Sequence, residues 1–291
     1  MSASGFSIGN LCSGQVPGRE TAADSAGLTV RADAIHGTLP PVKVPPYHWW
    51  RTVFFLIPAI TVYTIVLGAA SIVSSVFDTR GYFAHRCARA WSWLILRTTG
   101  VHVTVEGQER LTPGTTYIFV SNHQSNYDTP VIFSSLPFQL RIIAKESLAK
   151  FPVLGWHLKR GKHLFVDRQN PDRSGIFKRW RALVSQASLI VYAEGTRSRD
   201  GHVAKFKAGS FLLAIEARLP IVPVAIIGTR AVMPKGRLRT EPADVRLIVH
   251  DPIQPPVVDA PTIHDARQLA ERVHDIVAAT VEKLQSCRVP T

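Results

Sequence analysis

Hydrophobic residues recur along this chain in short runs of four to seven positions, and between the runs they return at helical spacing. The runs are rich in residues that favour strands. The predicted strands are Val101–Val105, Thr116–Val120, Arg141–Ala144, His163–Val166, Ser188–Ala193, Ile221–Ile227 and Val245–Val249. Helical spacing predicts helices at Pro130–Ser135, Pro171–Gln186, Gly209–Arg218 and Ile263–Gln285. Strands that alternate with helices indicate an α/β fold with a central, mostly buried β-sheet flanked by helices.

Ahead of this pattern lies an uncharged stretch of 26 residues, Thr52–Phe77. As a helix it would be roughly 39 Å long, which exceeds the ~30 Å hydrocarbon core of a bilayer. Tyr47, Trp49 and Trp50 precede it, as in the aromatic belts of membrane interfaces. We therefore predict a membrane-associated helix, with a buried core helix as the alternative. Whether the helix would span or re-enter the membrane is left open.

The next segment, Gly81–Thr99, interleaves basic residues with tryptophan and leucine at helical spacing. Basic amphipathic helices that carry tryptophan lie in membrane interfaces. We therefore expect residues 47–99 to form a membrane-associated helical segment and residues 100–291 to form the α/β domain. Residues 1–46 are rich in Gly, Ser, Ala and Pro and are predicted to be a disordered tail with a proline-rich linker. The tail has no compact apolar stretch behind a basic start, so it does not resemble a signal peptide.

The chain of 291 residues carries a formal charge of +13, of which +12 lies beyond residue 51. A basic body suits an anionic partner such as phospholipid headgroups, a phosphorylated substrate or nucleic acid. A solvated basic surface explains the charge equally well. In a membrane protein, the charge favours a catalytic domain on the cytoplasmic side of the cell (inner) membrane. Cys12, Cys87 and Cys287 match no metal or redox spacing, which indicates a reducing compartment and no metal site.

A histidine and an aspartate follow the predicted strand Thr116–Val120, five positions apart, at His123 and Asp128. On a helix, five residues would leave the two side chains about 140° apart, whereas a strand-to-helix turn can bring them together. Thr129 is expected to cap the following helix, with Pro130 in its first turn. Asp128 would then hold one nitrogen of His123 and leave the other free as a base.

Three further clusters lie at predicted strand ends, where α/β sheets usually hold ligands. One runs from Gly161 to Arg168, and a second, Glu194–Ser198, follows the apolar strand that ends near Tyr192. The third is the buried run Ile221–Ile227, which closes on a glycine. Together with His123 and Asp128, they make a ligand site more plausible than the isolated pair would.

These four blocks, in this order, resemble the glycerolipid acyltransferase family typified by 1-acylglycerol-3-phosphate acyltransferase (lysophosphatidic acid acyltransferase). The resemblance covers about Val101–Gly228 and rests on motifs with the patterns N-H-x-S-x-x-D, G-x-x-x-F-x-x-R, E-G-T-R-S and V-P-V-x-x-x-G. The matching residues are Asn122, His123, Ser125 and Asp128; Gly161, Phe165 and Arg168; Glu194, Gly195, Thr196, Arg197 and Ser198; and Val222, Pro223, Val224 and Gly228. Tyr192-Ala193 replaces the usual Phe-Pro ahead of the third motif. A glycerolipid acyltransferase-like α/β fold is implied.

The resemblance implies that His123 is the general base of an acyl transfer and that Asp128 orients it. The lipid hydroxyl is itself the nucleophile, so the enzyme needs none. Ser125 is therefore expected to shape the turn, with a covalent serine as the alternative. No cofactor is implied beyond the acyl donor, which is acyl-CoA or acyl-carrier protein.

Arg168 and Arg197 suit a phosphate, because a planar guanidinium can grip it with two hydrogen bonds; ordinary surface ion pairs are the alternative. Glu194 is expected to accept a hydrogen bond from the acceptor or to fix Arg197. Gly195 and Thr196 would offer backbone N–H groups to phosphate or to an oxyanion. These five residues are the predicted substrate-binding set.

The function implied is transfer of a fatty acyl group to the sn-2 hydroxyl of 1-acylglycerol 3-phosphate, which yields phosphatidic acid. The expected partners are the lipid bilayer, lysophosphatidic acid and the acyl donor. Other acceptors remain open, among them lyso-ornithine lipid, a lysophospholipid or glycerol 3-phosphate. A non-catalytic basic membrane-surface binder is a further alternative. Nucleic acid is not expected, because no aromatic-basic motif is present, and a hydrolase would need a nucleophile elbow that is missing.

Overall fold

A computed structural model of the chain describes residues 46–167, 173–183 and 186–286. The predicted tail and linker, apart from Pro46, lie outside the described residues. Arg168, Cys12 and Cys287 also lie outside the described residues, so what the sequence predicts for these three residues stays a prediction. Cys87 is buried and forms no disulfide.

The described residues form a seven-stranded sheet. Its strands are β1 (Val101–Glu106), β2 (Ile118–Ser121), β3 (Leu140–Lys145), β4 (Leu164–Val166), β5 (Ser188–Tyr192), β6 (Ile221–Ile227) and β7 (Ala243–Val249). The spatial order is β1-β7-β6-β2-β5-β3-β4. Strands β6, β2, β5, β3 and β4 run parallel, whereas β7 is antiparallel to β6 and pairs in parallel with β1. All seven predicted runs are strands, and the predicted α/β class is confirmed.

Strand β2 lies at the centre of the sheet, and all four of its residues are buried. Ile118 pairs with Leu189 of β5 on one side and with Ile221 of β6 on the other. Because these three strands are parallel, their carboxyl ends meet at the same edge of the sheet. Continuous apolar runs are typical of such doubly covered strands, since both faces pack against helices.

Helices cover both faces of the sheet. They are α3 (Tyr82–Thr99), α4 (Asp128–Ser135), α5 (Leu154–Arg160), α6 (Arg173–Arg181), α7 (Gly209–Ala217), α8 (Thr229–Val232) and α9 (Ile263–Ser286). Phe119 of β2 joins the core beneath α3 and α4, while its neighbours Ile118 and Val120 join the core beneath α7 and α9. This alternation follows from the two-residue period of a strand. Helices α5 and α8 were not among the predicted elements.

The uncharged N-terminal stretch is a helix of three parts: α1 (Pro46–Arg51), a π-helical turn (Thr52–Leu56) and α2 (Ile57–Ser74). The π-turn directly precedes Pro58, which lacks the N–H that a regular helix would use. Within the described residues, Tyr47–Ser74 is the one helix long and apolar enough to cross a membrane, judged by length and composition. Most of its apolar surface is exposed, including Phe54 and Val66.

Both ends of this N-terminal helix contact the α/β domain. The N–H of Thr240 donates to the hydroxyl of Thr52 at 3.1 Å. At the other end, the Arg160 guanidinium donates to the Ser75 hydroxyl, also at 3.1 Å. Between these contacts, α2 packs along α3, where the Trp91 indole N–H donates to the Thr64 hydroxyl at 2.9 Å. The helix therefore lies along the domain instead of projecting away from it.

Candidate active site

Three side chains meet at the edge of the sheet where β2, β5 and β6 end. His123, Glu194 and Thr229 each follow the last residue of their strand by two positions. Parallel strands in register bring these positions together, although the residues are far apart along the chain. The site is thus a consequence of the sheet order.

His123 and Asp128 are in direct contact. Nδ1 of His123 lies 2.7 Å from Oδ2 of Asp128, and the aspartate is fully buried. Oδ2 also accepts the backbone N–H groups of Gln124 at 2.8 Å and Ser125 at 3.0 Å. The Thr229 hydroxyl donates to Oδ1 at 2.5 Å. Asp128 therefore accepts hydrogen bonds on both oxygens, so Nδ1 of His123 is the donor of the pair and Nε2 is the ring nitrogen that Asp128 does not bind.

The helix that carries Asp128 begins one residue earlier than the predicted cap. Helix α4 starts at Asp128, its N-cap position is Tyr127, and no side chain caps it. Thr129 lies inside the helix, where its hydroxyl is 2.9 Å from the Tyr192 hydroxyl. The prediction of Thr129 as N-cap is therefore wrong. The Asp128 carboxylate binds the amides of the preceding turn instead, so a Thr129 cap is not needed to hold that turn in place.

Tyr192 fixes the plane of the His123 ring. The two rings stack with centroids 4.1 Å apart and planes 16° apart. Burial raises the pKa of Tyr192 well above its ordinary value, and the charge of Asp128 adds to this. The phenol thus stays neutral beside the histidine. In the sequence, Tyr192 stands out only as a departure from the family motif, because its place opposite His123 depends on the pairing of β2 with β5.

Asn122 and Ser125 hold the turn around His123. The Asn122 side-chain amide makes two hydrogen bonds to the backbone of Ile226, at 2.8 and 2.9 Å, and so ties the end of β2 to β6. The Ser125 hydroxyl donates to the Met233 carbonyl at 2.8 Å and accepts the Tyr127 N–H at 3.2 Å. These contacts agree with a turn-shaping serine, not a nucleophile.

Glu194 binds the main chain of the turn between β2 and α4. Its two carboxylate oxygens accept the N–H of His123 at 2.6 Å and the N–H of Ala204 at 3.1 Å. Burial raises its pKa, and the two amide hydrogen bonds oppose that shift. Among the described residues, no hydrogen bond or ion pair joins Glu194 to Arg197, so the expected Glu194–Arg197 pairing is not observed. Contact with an acceptor lipid stays a prediction.

The loop that follows Glu194 runs beside His123. The Ser198 N–H donates to the His123 carbonyl at 2.7 Å. Gly195 has φ +73°, and a Cβ there would lie 2.8 Å from the Lys207 ammonium nitrogen. A side chain at this position would therefore be strained and crowded.

A lysine from the segment after α8 contacts the loop that carries Arg197. Lys235 donates to the Thr196 hydroxyl at 2.9 Å and to the Arg197 carbonyl at 2.7 Å. Thr196 is exposed and Arg197 is half-buried. Within the described part of the chain, no group accepts a hydrogen bond from the Arg197 guanidinium, which is thus available to an anion. Arg168, its predicted partner, lies outside the described residues.

A cavity of about 200 Å³ lies next to the turn between β2 and α4, and α2, α3, α4 and α5 contribute to its wall. Its wall is mostly apolar and includes Leu67, Ala88, Phe133 and Leu158. Thr129 also lines it and hydrogen-bonds to Tyr192, the ring that stacks on His123. An apolar chain in this cavity would therefore end close to His123.

Comparison with known proteins gives a family and a fold. The family model described as Acyltransferase matches residues 102–227. The 1-acyl-sn-glycerol-3-phosphate acyltransferase of Cocos nucifera is 33% identical over 175 residues, which cover 59% of this chain and 55% of the relative. A chloroplastic relative of the same name from Brassica napus is 31% identical over 207 residues, covering 66% and 60%. The chain thus spans little more than half the length of these two relatives.

A solved structure extends the likeness to the whole fold. The crystal structure of the 1-acyl-sn-glycerophosphate (LPA) acyltransferase PlsC from Thermotoga maritima superposes with a TM-score of 0.72 and 27% identity. The match covers 84% of this chain and 98% of that protein. The residues that the family model matches, 102–227, include the ends of β2, β5 and β6, whereas Thr229 lies two residues beyond them.

Proposed function

We propose that the chain is an acyltransferase like the 1-acylglycerol-3-phosphate acyltransferases to which it is similar, and that it forms phosphatidic acid. It would transfer a fatty acyl group from acyl-CoA or acyl-carrier protein to the sn-2 hydroxyl of 1-acylglycerol 3-phosphate. The observation that carries this proposal is the 2.7 Å contact between Nδ1 of His123 and buried Asp128. That contact leaves Nε2 as a free base at the edge of the sheet.

The reaction needs a base because an alcohol is a poor nucleophile at neutral pH. Nε2 of His123 takes the hydroxyl proton while the lipid oxygen attacks the thioester carbonyl. The tetrahedral intermediate then collapses, the C–S bond breaks, and the imidazolium returns the proton to the departing thiolate. Asp128 holds the ring and stabilises the imidazolium, and such pairs are worth about 10²–10⁴-fold in rate.

The acceptor's phosphate is assigned to the basic loop after β5. The Arg197 guanidinium has no described partner. Lys207 lies beside Gly195, and Lys235 donates to the Arg197 carbonyl, so both lysines lie close to this loop. Arg168 would join them, as its motif implies. Glu194 acts on the other end of the site, where it fixes the backbone of His123.

The cavity between α2, α3, α4 and α5 is the proposed place for an acyl chain. Its apolar wall gains from burying a hydrocarbon, at about 0.8 kcal/mol per methylene. For comparison, a cavity of about 150 Å³ is known to bind benzene. A volume of about 200 Å³ therefore holds part of a fatty chain.

The N-terminal helix is the proposed membrane element. Both of its ends contact the α/β domain, so it would lie in one interface with its exposed apolar side in the lipid, and not cross the bilayer. The cytoplasmic side of the inner membrane is the proposed location. Acceptor and product both reside in the bilayer, and a helix in the interface keeps the site beside them.

The proposal is tested by incubating the purified full chain with lysophosphatidic acid and acyl-CoA and measuring free CoA. His123→Ala is expected to lower the rate at least about 10²-fold. His102→Ala, at an exposed position of β1, is the matched control and should leave the rate unchanged. Full activity in His123→Ala would overturn the mechanism.

The acceptor is tested separately with Arg197→Ala. A loss of rate with lysophosphatidic acid, but not with an unphosphorylated lysolipid such as lyso-ornithine lipid, is the expected result. An equal loss with both acceptors would contradict phosphate recognition by Arg197. Acyl transfer to the unphosphorylated acceptor alone would replace the proposed substrate.

A further inference from the structure

Helix α5 has two faces with different surroundings. Its inner residues, Leu154, His157 and Leu158, line the cavity. Its outer residues, Trp156, Lys159 and Arg160, are exposed. The outer three are spaced i, i+3 and i+4, so they share one side of the helix. A single wall one helix thick therefore separates the cavity from the surface beyond α5.

The outer surface combines aromatic rings with positive charge. Phe151, just before the helix, and Trp156 are each 56% exposed. Residues 145–162 contain five lysines or arginines and one acidic residue, Glu146. Large exposed aromatic side chains are uncommon on a soluble surface, but they are typical where a protein meets lipid headgroups. We call Phe151, Trp156, Lys159 and Arg160 the α5 face.

The α5 face continues into the apolar surface of the N-terminal helix. The Arg160 guanidinium donates to the Ser75 hydroxyl at 3.1 Å. Next to Ser75, Val76 and Phe77 are 68% and 86% exposed. At the other end of α5, Val153 packs so closely on Gly68 that any side chain there would collide with it. Helix α5 is thus held against α2 at both ends.

We propose that the α5 face docks on an anionic lipid bilayer. This inference rests on the membrane association proposed above and adds a second, separate contact from the α/β domain. Trp156 and Phe151 would lie at headgroup depth, and Lys159 and Arg160 would extend their charges to lipid phosphates. Docking in this way sets the cavity wall against the bilayer. An acyl chain could then pass from lipid to cavity without crossing water.

An acidic acyl-carrier protein is the other partner that a basic surface suits. Two features favour lipid. The α5 face is contiguous with exposed Val76 and Phe77, which an acidic protein surface would not complement. Its centre is the indole of Trp156, a side chain that is enriched at membrane interfaces. The experiment below separates the two partners.

The test places an environment-sensitive fluorophore on single cysteines of the full chain. Trp156→Cys reports on the α5 face, Val66→Cys on α2, and Arg272→Cys on the exposed side of α9. Cys12→Ser and Cys287→Ser remove competing thiols. Cys87 is retained, because it is buried and burial raises its pKa, which slows its reaction with a thiol label. Each labelled protein is mixed with phosphatidylcholine vesicles, with or without phosphatidylglycerol.

The expected result is that brominated lipid quenches the labels at positions 156 and 66, while iodide in the water quenches the label at 272. Protection at 66 combined with full iodide quenching at 156 would overturn the docking proposal alone. Iodide quenching at both 66 and 156 would overturn the membrane association as well. Protection at 156 by added acyl-carrier protein, and not by lipid, would replace the bilayer with that partner.

A charge reversal tests the consequence for activity. Lys159→Glu with Arg160→Glu is expected to lower acyl transfer on vesicles containing phosphatidylglycerol about tenfold, since each charge near an anionic surface contributes to binding. Activity on detergent-dispersed acceptor should stay unchanged, which separates this failure from a failure of the catalytic proposal. The matched control is Arg267→Glu with Arg272→Glu on α9, where both residues are exposed. The docking proposal would be contradicted if both double variants lost the same activity on vesicles. It would also be contradicted if Lys159→Glu with Arg160→Glu lost activity on the detergent-dispersed acceptor.

Discussion

Two histidine environments within the α/β domain differ in almost every physical respect. His123 has a side chain 14% exposed and a carboxylate at 2.7 Å. His85, His157 and His163, which we call the buried histidine cluster, lie around the buried Arg141. No described carboxylate forms an ion pair with any member of this cluster.

Burial and positive charge keep the cluster neutral. Burial lowers the pKa of His85 to about 3 and that of His157 to about 4, and the Arg141 guanidinium adds to both shifts. The pKa of His163 also lies well below its ordinary value, for the same two reasons. Burial lowers the pKa of Arg141 to about 10, which the charge of Asp78 partly offsets. These histidines therefore act as polar packing residues.

The difference shows what makes a histidine useful as a base. In the proposed mechanism, the buried carboxylate of Asp128 holds Nδ1 of His123 and Nε2 serves as the base. A histidine buried beside a cation cannot gain a proton without large cost. His157 illustrates this, because its one described polar partner is the Ser71 hydroxyl, at 2.5 Å from Nδ1.

The largest effect on the rate is expected from removing the carboxylate beside His123, because the histidine then lacks an ion-pair partner, like the members of the buried histidine cluster. Asp128→Asn keeps the shape but removes the charge that stabilises the imidazolium, and an amide can hold the wrong tautomer of His123. The rate of acyl transfer should fall about 10²–10⁴-fold. Steady-state kinetics measure it, with a thermal melt to show that the protein is folded.

The chain offers a matched control for this change. His274 and Asp275 on α9 are also in contact, at 3.0 Å, but the Asp275 side chain is 78% exposed. Asp275→Asn should therefore leave the rate unchanged. If Asp128→Asn lowered the rate no more than Asp275→Asn, Asp128 would have no part in catalysis.

The positions of the candidate site residues at strand ends were predictable, because these residues are close in sequence to apolar runs. His123, Asp128 and Glu194 were placed from local motifs, and the apolar runs predicted every strand around them. Thr229 and Tyr192 were missed as site residues, although a threonine just after the glycine that closes β6 was a usable signal. Their contacts arise from which strands are neighbours in the sheet, and spacing along one chain does not contain that information.

The buried histidine cluster was not predictable at all. Its members come from α3, from α5 and from the start of β4, so only the folded packing brings them together. Helix α5 was missed for a related reason. It has seven residues, it contains a glycine, and its apolar side faces a cavity. A helix of seven residues shows too few repeats of the apolar pattern to be predicted from the sequence.

The second prediction concerns acid, to which the cluster should respond. In the unfolded chain these histidines bind protons near pH 6.5, whereas in the folded protein they do so only at much lower pH. A folded pKa below the unfolded one means that stability is present above pH 6.5 and is lost as the pH falls. Between pH 7 and pH 6, the free energy of unfolding should drop by roughly 0.7 kcal/mol per histidine, about 2 kcal/mol for the three.

Urea midpoints of the purified protein at the two pH values measure this drop. Replacing exposed His264 and His202 by glutamine provides the control, since neither is buried and the pH response should persist in that variant. An unchanged midpoint between pH 7 and pH 6 would show that the buried histidines are protonated in the folded protein. That result would remove this difference between the buried histidine cluster and His123.

The smallest expected effect comes from removing one member of the cluster. Within residues 46–167, 173–183 and 186–286, neither ring nitrogen of His85 has a partner with hydrogen-bond geometry. Its ring lies 5.5 Å from that of Phe133, so an aromatic side chain suits the space. His85→Phe is expected to stabilise the protein by about 1 kcal/mol at pH 7, because two buried polar atoms without partners are lost. The drop in stability between pH 7 and pH 6 should shrink by about a third, since one of three histidines no longer titrates. The rate of acyl transfer should not change, because His85 is not among the described residues that line the cavity.

His85→Leu separates the loss of polar atoms from the gain in ring size. If both variants were destabilised at pH 7, His85 would have a stabilising polar contact in solution, and its neutrality would not follow from burial alone.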